Sequence, residues 1–102
     1  MAVLSAEDLR VHAWLSRRPA PWWVLILKGP EVTGSGRSLG RARAALAEAA
    51  YEWASDTLEF ESGEEVALAQ LILARHRAGD LSEALMPHPD SVFRADDLPR
   101  AA

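Results

Sequence analysis

No cysteine occurs among the 102 residues. Disulfides, thiolate metal ligands and a cysteine nucleophile are therefore excluded, and the chain suits a reducing, cytoplasmic setting. Long apolar runs are missing as well. The longest, Trp22-Trp23-Val24-Leu25-Ile26-Leu27, is far short of the roughly twenty residues a membrane-spanning helix needs. Glu7 and Asp8 stand where an export signal would carry its basic region, so none is expected. Positive charge is scarce. Lys28 is the single lysine, and 15 acidic residues against 11 basic ones give a formal net charge of −4. A chain that bound phosphates for its affinity would usually show the opposite balance. Direct nucleic-acid binding is thus not expected, although Arg17-Arg18 and Arg37/Arg41/Arg43 form local basic patches.

What is present is enough for one domain. Nearly half of the residues are apolar (49%), which gives a chain of this length a core without staples. Leu9, Val11, Ala13 and Leu15 alternate with Arg10, His12 and Trp14, the period-two pattern of a half-buried strand. Pro19 and Pro21 interrupt it, because proline cannot donate to a ladder. The β-branched and aromatic run of residues 22–28 suits a central strand covered on both faces. Gly29-Pro30 ends it, and Glu31-Val32-Thr33 reads as a short third strand broken at Gly34-Ser35-Gly36. Strands this close in sequence make an antiparallel meander, since parallel neighbours need longer crossovers.

Ser38 then reads as a helix N-cap. Leu39, Ala42, Leu46, Ala49 and Trp53 follow at spacings of three and four, which places them on one helical face. Alanines on that face would let the helix lie close against the sheet. Thr57-Leu58-Glu59-Phe60-Glu61 alternates again and is expected to form a fourth strand, with Leu58 and Phe60 inward. A second helix is expected over residues 64–78, closed by Gly79, with a short last turn through Met86. Val66, Leu68, Ala69, Leu71, Ile72 and Leu73 cover more than one face of it, as in a helix buried on several sides by its own domain or by a partner. The expectation is an α+β domain over residues 1–86, ordered β-β-β-α-β-α. A Pro-rich tail, residues 87–102, is expected to be extended or disordered, with Val92, Phe93 and Leu98 as possible anchors.

No chemical site emerges from the motifs. Gly34-Ser35-Gly36-Arg37-Ser38 before a helix resembles an anion cradle, but it lacks the glycine count of a dinucleotide fingerprint and the Gly-Lys-Ser/Thr end of a P-loop. A tight turn is the preferred reading. His12, His76 and His88 lie on separate segments with no pair at metal-ligand spacing. Asp56, Glu59 and Glu61 are the one tight carboxylate group, and a small metal-dependent nuclease would use such a set, yet Glu59 and Glu61 merely alternate on a solvent face. No serine has a nucleophile-elbow context. No catalytic residue, metal or cofactor is expected. Trp14, Trp22 and Trp23 fall on the first two strands, where aromatic residues either pack the sheet or serve as binding hot spots. Trp22 and Trp23 must face opposite ways, and the sequence leaves open which is outward.

Residues 22–42, with Gly36-Arg37-Ser38-Leu39 opening an Ala-rich helix, resemble the HicB-like antitoxins. The resemblance extends over roughly residues 9–78. It implies a degraded RNase H-like β-β-β-α-β fold without catalytic acids, which binds and blocks a small, basic, mRNA-cleaving toxin. No convincing DNA-binding segment accompanies it here. The sequence therefore points to a non-catalytic protein-binding module, expected to be homodimeric through Leu68 to Leu73, with Trp14, Trp22, Leu68, Leu71 and Phe93 as partner-binding candidates. The alternative is a structural or regulatory subunit of another bacterial or phage complex that shares only the α+β topology.

Overall fold

A computed structural model describes residues 9–17, 20–60 and 63–94. Three strands come first: β1 (Val11–Ser16), β2 (Trp22–Leu27) and β3 (Val32–Gly36). They pair antiparallel in an unbroken meander, from Val11 opposite Leu27 to Ser16 opposite Trp22, and from Leu27 opposite Val32 to Trp23 opposite Gly36. Three helices follow, α1 (Leu39–Phe60), α2 (Glu64–Ala78) and the single turn α3 (Leu81–Ala84). A 3-10 turn at Pro89–Ser91 then leads into β4 (Val92–Arg94), which pairs parallel with β1. The sheet order is β3-β2-β1-β4. The architecture is α+β, with the meander followed by helices as the pattern predicts.

Local chemistry sets the boundaries. Ser38 caps α1 by accepting the Arg41 N–H on its hydroxyl oxygen at 3.2 Å, satisfying a donor that the helix itself leaves free. Gly79 closes α2 in the left-handed region, at φ 81°, a backbone conformation that strains any residue carrying a β-carbon. Its N–H donates to the His76 carbonyl and that of Asp80 to the Arg75 carbonyl. The Arg75 guanidinium also donates to the Asp80 carboxylate at 3.1 Å.

The helices form one layer against one face of the sheet. Leu9, Val11, Ala13, Leu25 and Leu27 come up from the sheet, and Ala42, Leu46, Ala50, Ala54, Ala69, Ile72, Leu81 and Leu85 come down to meet them. α1 lies on β3 and β2, α2 packs on α1, and α3 closes against both helices. Arg43 on α1 donates from Nε to the Ser82 carbonyl at 2.9 Å, and Tyr51 stacks on His76 across α1 and α2 at 4.1 Å.

Three local expectations are corrected. Residues 57–60 form the last turn of α1, so Thr57 is buried at 3% exposure while Leu58 is exposed at 39%. Glu61 lies outside the described residues. The fourth strand is instead supplied by Val92–Arg94, within the segment expected to be irregular. Third, Gly34 and Gly36 do not break β3 but continue it. A β-carbon at Gly34 would fall onto the backbone of Leu46, and one at Gly36 would sit 2.8 Å from the Arg41 β-carbon. Both glycines let α1 settle onto the sheet.

Candidate functional site

The alternation of the strands sorts every side chain onto one of two faces. Leu9, Val11, Ala13, Leu25, Leu27, Gly34 and Gly36 turn to the helices and are buried. The opposite face holds His12, Trp14 and Ser16 on β1, Trp22, Val24 and Ile26 on β2, Thr33 and Ser35 on β3, and Phe93 on β4. None of these side chains is fully buried, and among the described residues no helix packs across them. Among the described residues β2 is thus a central strand covered on one face alone, which corrects the expectation from its continuous apolar run. Its second apolar face is the open one.

Three of the five partner-binding candidates meet there. Trp14 and Phe93 lie opposite each other across β1 and β4, with ring centroids 5.1 Å apart and planes tilted by 31°. His12 adds a third ring 5.8 Å from Phe93. Trp22 stands further along the face, 44% exposed, and Phe93 is 37% exposed. Trp23 turns inward and packs half-buried against the core, which answers what the sequence left open. The Trp14–Phe93 contact joins segments nearly eighty residues apart, so nothing in the local sequence announces it. The half-buried Val24 and Ile26 were not singled out by sequence reasoning, because a continuous apolar run hides which side chains point outward.

The other two candidates lie elsewhere. Leu68 and Leu71 are half-buried and pack against the core, Leu68 beside the β2–β3 turn. His88 accepts the Asp90 N–H on Nδ1 at 3.1 Å and caps the 3-10 turn. Asp56 and Glu59 are exposed on α1. Among the described residues, no three His, Asp or Glu side chains come together as a metal site. No helix among them is long and apolar enough to cross a membrane.

A two-layer α+β domain with helices on one side and an uncovered, aromatic sheet face on the other is the class that fold and site define. Among solved structures, one such likeness is to an antitoxin part of a candidate toxin/antitoxin system from Syntrophomonas wolfei subsp. wolfei. The TM-score is 0.57 at 18% sequence identity, over 87% of this chain, which spans 64% of that antitoxin's length. At that identity the likeness is one of fold. No family model and no curated protein matches the sequence.

Proposed function

We propose that the chain is a non-catalytic protein-binding module, a HicB-like antitoxin or a relative of one, that sequesters a small protein partner such as an mRNA-cleaving toxin in the cytoplasm. The observation that carries this reading is the open sheet face. Among the described residues nothing covers the patch of Trp14, Trp22, Val24, Ile26 and Phe93, and a contiguous exposed apolar patch of this kind supports a docking surface. Tryptophan is moreover enriched among the residues that dominate binding energy. The fold shared with the Syntrophomonas antitoxin supports the choice of partner class. Leu68 and Leu71, half-buried on α2, form a secondary contact in this proposal.

Affinity capture from the native host, with the full chain as bait, tests it. The expected result is a small protein recovered at equal stoichiometry by the wild type and lost with a Trp22→Ser/Phe93→Ser variant that keeps its circular dichroism. Recovery of the same partner by that variant would remove the open face from the reading. Recovery of only a large, unrelated assembly would overturn the antitoxin reading itself.

A further inference from the structure

β1 has an edge that β4 covers only in part. β4 pairs with Ala13, Trp14 and Leu15, and among the described residues no strand lies beside Val11 on that edge. The ladder with β2 decides which backbone groups point there. Lys28 donates its N–H to the Arg10 carbonyl at 2.8 Å, one step beyond the Val11–Leu27 pair. Hydrogen-bonded and non-bonded pairs alternate along an antiparallel ladder, so Arg10 and His12 direct their backbone groups to β2. Val11, like Ala13, directs its N–H and carbonyl to the other edge.

A cavity of about 330 Å³ lies at that place, within the size range of ligand pockets. Its walls are the start of β1 and the segment that returns from α3 to β4. Arg10, His12 and His88 bring cationic or proton-donating groups to it, Ser91 a hydroxyl, and Val11 and Met86 an apolar lining. His88 accepts the Asp90 N–H on Nδ1, which leaves Nε2 to carry the ring proton. No carboxylate among the described residues lines the cavity. Asp90, 3.5 Å from His88, has a side chain 91% exposed and is not part of the lining.

These features favour one occupant. An extended segment beside Val11 gains backbone hydrogen bonds by adding to the sheet, but β4 already holds the edge from Ala13 onward. What fits is a chain that ends there. The walls select which end. A carboxylate would meet the guanidinium of Arg10 and the ring N–H groups of His12 and His88, whereas an ammonium would meet no acid. We infer that this groove captures the free C-terminus of an extended peptide from another protein, its last residue paired with Val11 and its carboxylate held by Arg10, His12 and His88. The groove adjoins the open sheet face and shares only His12 with it, so the inference does not depend on what that face binds.

A library of short peptides tests it on the intact chain, with fluorescein at the N-terminus, the last positions randomised and a free carboxylate at the end. Fluorescence anisotropy is the readout. Peptides that bind should do so about tenfold more weakly once their C-terminus is amidated, because charge-assisted hydrogen bonds are lost. Arg10→Gln should weaken them to a similar extent, and Met86→Glu, which sets a like charge in the groove, by at least as much. Both positions are exposed, and circular dichroism of each variant checks the fold. Trp22→Ser, on the open face, should bind as the wild type does. A library without a binder overturns the inference, and so do amidated peptides that bind as tightly as the acids. Binding that Trp22→Ser abolishes and Arg10→Gln leaves intact would move the peptide to the open face and overturn it equally. Displacement by an equal concentration of sodium acetate would also overturn it, making the cavity a site for small carboxylates with no part for the peptide chain.

Discussion

Gly34 and Gly36 are the residues on which the approach of helix to sheet depends. Composition suggests a turn, because Gly-Ser-Gly before a helix cap usually marks one. Their φ angles are not in the left-handed region, which among the glycines is reserved for Gly29, Gly63 and Gly79. The reason for glycine is therefore space. At Gly34 the obstacle to a β-carbon is the backbone of Leu46 and the Ala42 carbonyl, which cannot swing aside as a side chain can. Gly34→Ala should lower unfolding stability by about 3 kcal/mol, at the upper end of overpacking costs. Gly36→Ala meets the Arg41 β-carbon and the Ala42 nitrogen at wider distances in the first turn of α1 and should cost about 1 kcal/mol. Urea titrations of the two variants measure the difference. Equal, small losses would mean that α1 rides higher above β3 than its alanines allow.

The elements divide into those the sequence states locally and those it does not. β1, β2, α1 and α2 were legible because each carries its own period, its own cap or both. Leu9, Val11 and Ala13 alternate into the core, and Ser38 and Gly79 mark helix ends by chemistry that acts within four residues. Residues 57–60 misled for the same reason. Two apolar side chains in alternation, Leu58 and Phe60, are too few to separate a strand from a helix whose buried row continues Leu46, Ala50, Ala54, Thr57 at spacings of three and four. Threonine in that row conceals it. The consequence is measurable in circular dichroism and urea unfolding. Leu58→Ser, on an exposed helical position, should change stability by no more than about 0.5 kcal/mol. Thr57→Glu buries a charge against the core and should cost about 3 kcal/mol or more. A strand with Leu58 inward would give the reverse order. β4 had no such local signal. Three residues in parallel register owe their strand to the ladder that β1 offers.

At the scale of the whole molecule, the two layers differ in charge. No acidic residue lies within the four strands, whereas Glu48, Glu52, Asp56, Glu59, Glu65 and Glu83 are exposed on the helices. Arg41, Arg43, Arg75 and Arg77 offset part of that acidity, and the net charge of −4, a sum over the whole chain, says little about the face that carries the aromatic residues. That face was half legible: its side chains were on view in the sequence, but a continuous apolar β2 gave no sign that one side lacked a cover. Tryptophan fluorescence tests whether that face is the one a partner covers. Trp22 is the most exposed of the four tryptophans, with Trp14, Trp23 and Trp53 half-buried, so Trp22→Phe should remove most of the acrylamide-quenchable emission. A partner docked across Trp14, Trp22 and Phe93 should shield Trp22, and quenching in the complex should fall to the level of the Trp22→Phe variant. Shielding that follows protein concentration alone, with no partner present, would mean that two copies cover each other's aromatic faces, and the reading of that face as a site for a different protein would fall.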